Sequence, residues 1–133
     1  MSRWNLRTVP EDLRTRYLAD GLWNNDSLGQ LVERGLAQSS TAHFKVRSQV
    51  KPYDGTFADI DRAARALAGS LRQRGVGAGD VVVLQLPNWV EAGVAYWATA
   101  YLGAVVVPIV HFYGAKEVDY LLHLFLRLVT ACD

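Results

Sequence analysis

Hydrophobic and polar positions along this chain follow two different periods. Leu28, Leu31, Val32 and Leu36 recur at helical spacing behind Ser27, a residue type that caps helix N-termini, and the pattern fades at Gln38-Ser39-Ser40-Thr41. Phe44, Val46 and Val50 then alternate with Lys45, Arg47 and Gln49, the period of a half-buried strand over 44-50. The following "KPYDGT" reads as a turn. Thr56 opens the clearest helix: Asp59 stands three residues on, as in a capping box, and Phe57, Ile60, Ala64, Leu67 and Leu71 form one apolar stripe. The run Val81–Leu86 is almost continuously apolar, which predicts a parallel strand covered on both faces. Pro87 and Asn88 stop it, and Asn88 is placed to cap a helix from Trp89 to Leu102. Ala104–Ile109 returns as a second apolar strand, and Val118, Leu121, Leu122 and Phe125 predict a further helix.

Strand, helix and strand in this length make a βαβ unit, which crosses over right-handed. The expected fold class is α/β, with parallel strands near 81-86 and 104-109 and a preceding strand near 44-50. Residues 1-26 are polar, with Trp4, Tyr17, Leu18, Leu22 and Trp23 scattered through them. They read as an extended arm that packs a few aromatics onto the body formed by 27-133.

Between the central helix and the first apolar strand lies "GVGAGD", three glycines in five positions. A phosphate cradle runs strand, glycines, helix, because the helix N-terminus supplies the amides that hold the anion. Here the glycines follow a helix and precede a strand. Gly75 therefore reads as a left-handed cap, Gly77 and Gly79 as a tight reversal, and Asp80 as the strand entrance.

Bulk properties narrow the choice of partners. Fourteen basic and thirteen acidic side chains leave a net charge of +1, which supplies no electrostatic case for nucleic acid. The single cysteine, Cys132, cannot close an internal disulfide, and the N-terminal stretch lacks the apolar core of a secretory signal. A cytoplasmic protein is the expectation. One uncharged run, Ala92–Val110, is long enough to span a bilayer. Gly103 and Pro108 divide it into an alanine-rich helix and a β-branched strand, so no membrane span is expected.

Candidate chemistry is sparse. His43, His111 and His123 have no spacing that suggests shared metal ligation, so no metal site is expected. No nucleophile elbow is present, and Ser39-Ser40-Thr41 lacks the glycines and lysine of a nucleotide loop. Arg62, Arg65 and Arg72 share one side of a helix, either as a solvated face or as a phosphate receiver. "HFYG", 111 to 114, leaves the carboxyl end of the second apolar strand, where open α/β sheets bind ligands. His111, Phe112 and Tyr113 are thus the substrate-binding candidates, with packing over the strand end as the alternative. No catalytic residue is identified.

The stretch from Gly55 to Ile109, "GTFADIDRAARALAGSLRQRGVGAGDVVVLQLPNWVEAGVAYWATAYLGAVVVPI", closely resembles the N-terminal portion of the adenylate-forming acyl-CoA synthetases, the AMP-binding fatty-acid–CoA ligases. Thr56, Phe57, Leu67, Gly75, Gly79, Asp80, Pro87, Asn88, Gly103, Ala104 and Pro108 match that family's pattern in order. The likeness covers about residues 15 to 122, and its "HFYGAKEVDYLL" looks like a branch acting on fatty or cyclic carboxylic acids. What it implies is the N-terminal part of a ligase large domain, with 27-133 a partial AMP-binding domain. It also implies activation of a carboxylic acid by ATP and Mg²⁺ to an acyl-adenylate, with capture by coenzyme A. The family's phosphate loop, magnesium acid, ribose aspartate and lid lysine all lie beyond the matched region. No cofactor is therefore expected to be held by this chain alone. The ending "HLFLRLVTACD" drifts from the pattern after about Leu122, as a truncated or frame-shifted reading frame would. An inactive, self-associating ligase fragment and a stand-alone small α/β binding or structural module are the two functional expectations.

Overall fold

The computed structural model describes residues 8–130, with side chains described for 8–125. Trp4 and Cys132 lie outside the described residues. The order of elements is α1 (Glu11–Ala19), α2 (Leu28–Gln38), β1 (His43–Val46), β2 (Tyr53–Thr56), α3 (Phe57–Gln73), β3 (Val81–Leu84), α4 (Val90–Leu102), β4 (Val105–Pro108) and α5 (Ala115–Thr130). The arm is therefore not extended. It contains α1, whose first turn carries Glu11 and Asp12, acids that favour a helix N-terminus. Tyr17 and Trp23 meet edge to face at 5.1 Å within the arm itself, and α1 buries no residue.

Two helix starts form as their sequences dictate. Ser27 accepts the Gln30 amide while Gln30 Oε1 accepts the Ser27 amide, closing a capping box. Thr56 and Asp59 do the same for α3, and the Thr56 hydroxyl also donates to Asp59 Oδ2 at 2.7 Å. That hydroxyl, aided by the Thr56 amide, holds the Asp59 carboxyl below the usual carboxylate range. The third start differs. Trp89, not Asn88, occupies the N-cap position of α4, and no side chain caps it. Pro87 O takes the Trp89 amide at 2.7 Å, and Asn88 is left one residue before the capping position. Thr56→Ala is expected to cost about 1–2 kcal/mol. Asn88→Ala should stay within about 0.5 kcal/mol. Urea midpoints of the two variants, read by tryptophan fluorescence, check the contrast.

"KPYDGT" proves to be part turn and part strand. The Ser48 hydroxyl accepts the amides of Val50 and Lys51, ending β1 at Val46 and turning the chain early. Tyr53–Thr56 then pairs back antiparallel, Val46 facing Tyr53 and His43 facing Thr56. The expected strand over 44-50 is thus one half of a hairpin, in a sheet separate from the parallel pair. Its inward ring, Phe44, meets Tyr53, Phe57 and Trp97 edge to face at 6.4, 5.5 and 6.1 Å, fastening the hairpin to α3 and α4.

The core lies between α3 and α4. Ala64 and Ala68 of α3 face Ala98 and Leu102 of α4, and such small side chains let the two helices approach closely. Leu67, Leu71 and Trp97 close the rim of this contact. Tyr101 donates from α4 to Asp61 of α3, while Arg65 bonds the same carboxylate and reaches Glu33 of α2 at 2.9 Å. Burial, then the Asp61 hydrogen bond, pushes the Tyr101 phenol up to about 12. A group whose pKa rises on folding stabilises the fold fully below its unfolded value, about 10 for a phenol, and loses that contribution as pH climbs toward the folded one. Ultraviolet titration should show one tyrosine ionising late, in step with alkaline loss of stability, and Tyr101→Phe should remove that phase.

β3 and β4 pair in parallel, Val81 facing Val105 and Leu84 facing Pro108, with α4 as the crossover between them. Among the described elements α4 alone packs extensively on this pair. All four β3 residues are consequently half-buried rather than covered on both faces.

Candidate ligand-binding site

The βαβ unit delivers its loops to one end. Beyond β4 the chain leaves as Ile109–Gly114, and the Ile109 amide still bonds Leu84 O at 2.8 Å. Val110–Tyr113 then closes as a turn, the Tyr113 amide donating to Val110 O at 3.0 Å. Gly114 O accepts the Val118 amide and starts α5. His111, Phe112 and Tyr113 therefore stand together at the carboxyl end of a parallel strand, as the sequence expects. Their rings stack edge to face in series, His111 on Phe112 at 5.4 Å and Phe112 on Tyr113 at 5.8 Å. Phe112 is 75% exposed and Tyr113 41%, so within the described residues they do not fold down over the strand end.

Tyr113 forms one wall of a concavity of about 470 Å³ whose other walls are Lys116, Glu117, Tyr120 and Leu121 of α5. Residues 113, 116, 117, 120 and 121 share one face of the chain entering α5, which is why they gather there. Two tyrosine rings and a leucine give an apolar body, and an ammonium beside a carboxylate gives a polar end. Such a surface suits a small molecule with an apolar body and a charged head. Lys116 and Tyr120 were not singled out by the sequence, although their helical spacing from Tyr113 was available as a signal. Three larger hollows are also present: about 590 Å³ within the hairpin, about 560 Å³ between α2, α3 and α4, and about 500 Å³ along α5, which shares Lys116 and Tyr120 with this groove and adds Asp119, His123 and Leu124.

Two members of the arginine row belong to a charged face, while the third, Arg72, lines the hollow between α2, α3 and α4. Arg62 pairs with Asp59 at 3.2 Å, and Arg65 with Asp61 and Glu33 at 3.0 and 2.9 Å, its side chain also lying over the Tyr101 ring. These two guanidiniums are held by protein carboxylates.

The glycine loop is a helix stop. Gly75 has φ +90°, and its amide bonds Arg72 O while the Val76 amide bonds Leu71 O, the paired bonds of a Schellman cap. The Gly77 amide donates to Asp80 Oδ2 at 2.7 Å, the Gly79 amide to Gly103 O at 3.0 Å, and the Asp80 amide to Gly77 O. Five loop amides thus have protein acceptors, and the segment does not fit a nucleotide phosphate. Among the described residues no three His, Cys, Asp or Glu side chains are grouped to hold a metal ion. No described helix is long and apolar enough to cross a membrane.

Residues 37–125 match the family model of the AMP-binding enzymes. The medium-chain fatty-acid–CoA ligase of Escherichia coli is 30% identical over 116 residues, covering 87% of this chain and 20% of that protein. Among solved structures, MbtA of Mycobacterium smegmatis superposes with a TM-score of 0.72 at 25% identity, over 89% of this chain and 22% of its own. A fatty acyl CoA synthetase of Mycobacterium tuberculosis gives 0.63 at 32% identity, over 72% and 19%. The chain spans about a fifth of the length of these relatives.

Proposed function

The chain belongs to the AMP-binding enzyme family, and from that premise we propose that it is the N-terminal α/β part of an ATP-dependent carboxylic-acid–CoA ligase. The complete reaction turns a carboxylic acid, ATP and CoA into acyl-CoA, AMP and pyrophosphate. The observation that carries the reading is the exposed His111–Tyr113 turn, set at the carboxyl end of β4 beside a groove with an apolar body and a polar end made by Lys116 and Glu117. In this reading His111, Phe112 and Tyr113 line the path of the carboxylic acid, and ATP and Mg²⁺ are held by residues outside these 133. Fatty acids are the favoured substrate class, since two relatives are named for them. A cytoplasmic location accompanies that chemistry.

Grafting residues 37–125 into a complete fatty-acid–CoA ligase and replacing His111 and Tyr113 by alanine tests the lining role. The reading expects a changed order of preference among carboxylic acids at nearly unchanged thermal stability. A loosened fold with unchanged preference contradicts it and makes these side chains packing.

A second reading, a small α/β binding module without catalysis, is favoured by one observation: the groove beside Tyr113 is lined by residues of this chain alone. Under either reading the isolated chain is expected to self-associate. Among the described residues β3 and β4 pair only with each other, and Val105, Phe112, Tyr120, Leu122 and Leu124 are exposed. Light scattering checks this, and a monodisperse monomer at micromolar concentration contradicts it.

A further inference from the structure

At the carboxyl end of β3 one polar residue, Gln85, stands between Leu84 and Leu86. Its side-chain amide crosses to the exit of β4 and donates to three backbone carbonyls. Tyr113 O lies at 2.8 Å, Val110 O at 3.2 Å and His111 O at 3.4 Å. The parallel register makes this reach possible, since Leu84 faces Pro108 and the Ile109 amide bonds Leu84 O. A primary amide carries two hydrogens, so the three carbonyls share them. Three oxygens drawn toward one place repel one another unless a donor sits between them, and Gln85 is that donor. Leucine at this position has no hydrogen to give, and an ionised glutamate adds a further acceptor.

We propose that Gln85 is a positioning residue: its amide fixes the 110–113 turn and with it the directions in which His111, Phe112 and Tyr113 meet a ligand. The proposal rests on the reading of that turn as the carboxylic-acid-facing element. The three rings touch edge to face in series on this one turn, so rotating its backbone redirects all three.

The test uses the 133-residue chain, isotope-labelled, with Gln85→Ala and Gln85→Glu, read by amide hydrogen exchange and by titration with decanoate. Losing the amide is expected to speed exchange at the Tyr113 amide about fivefold, the equivalent of one net hydrogen bond, while α3 amides keep their protection. In Gln85→Glu the turn is loosened at neutral pH and recovers as acid protonates the carboxyl, which then donates an O–H to the carbonyls. A packing role shows no such pH dependence. The shifts that decanoate induces at residues 111–114 in the unaltered chain should weaken in Gln85→Ala, and in Gln85→Glu at neutral pH. Unchanged Tyr113 exchange in either variant at neutral pH overturns the proposal, as does a loosened turn with an undiminished decanoate response. If the unaltered chain shows no decanoate response but Tyr113 exchange behaves as stated, the ligand-facing reading fails and the hold of Gln85 on the turn stands.

Discussion

Replacing Ile60 by alanine is expected to remove about 2–5 kcal/mol from the stability of this fold. Ile60 is 1% exposed, and half of the buried apolar residues among those described are alanines. The core therefore draws on few large side chains, and Ile60 is the largest apolar one that is fully enclosed. It sits on the first turns of α3, one residue after the Asp59 of the capping box, where the helix meets Phe44 and Trp97 through Phe57. Truncation deletes three carbons and leaves a void that the capped backbone of α3 cannot collapse to fill. Against a typical total of about 5–15 kcal/mol for a domain, that loss is a large share. Chemical denaturation followed by tryptophan fluorescence reads it. A cost below about 1 kcal/mol would mean that the surroundings of Ile60 relax freely to fill the space.

The contrast between Thr56 and Asn88 shows what the sequence can carry. A capping box is local: four residues contain both partners, so Ser27/Gln30 and Thr56/Asp59 are legible in the order of letters. The Asn88 cap was equally local in appearance, but the turn through Pro87 O displaces it by one residue, and a one-residue slip is invisible to spacing arguments. The parallel pair was legible because long runs of valine have few other uses. The hairpin was not, since β2 is four residues of mixed polarity whose pairing depends on the Ser48 turn and on Trp97, far away in the chain. The same distance hid Gln85, whose acceptors lie 25 to 28 residues on. Only its polarity within an apolar strand marked it. The position of the His111–Tyr113 turn follows from the end of the apolar strand, whereas its groove depends on the helical phase of α5 side chains.

The second large effect concerns catalysis. In adenylate formation negative charge builds on the transferring phosphorus centre and on the departing pyrophosphate. Fixed donors and a metal ion aimed at that charge supply most of the barrier lowering. The glycine loop of this chain has its amides bonded to Arg72, Leu71, Gly103, Gly77 and the Asp80 carboxylate, so it offers no free cradle without unfolding the α3 cap. Arg62 and Arg65 are held by carboxylates, and freeing them would take an ion-pair partner from Asp59, Asp61 and Glu33. The groove beside Tyr113 presents one ammonium, that of Lys116, and one carboxylate, that of Glu117, so it offers a triphosphate no net positive charge. Binding of an acid without its activation is the expected behaviour.

The direct measurement is pyrophosphate release by the purified 133-residue chain incubated with ATP, Mg²⁺ and fatty or aromatic carboxylic acids. The account predicts release equal to that of a heat-inactivated control with every acid, alongside decanoate-induced shifts confined to residues near 111–121. Release that depends on both the acid and the folded chain would contradict it, because these residues would then be forming an acyl-adenylate by themselves.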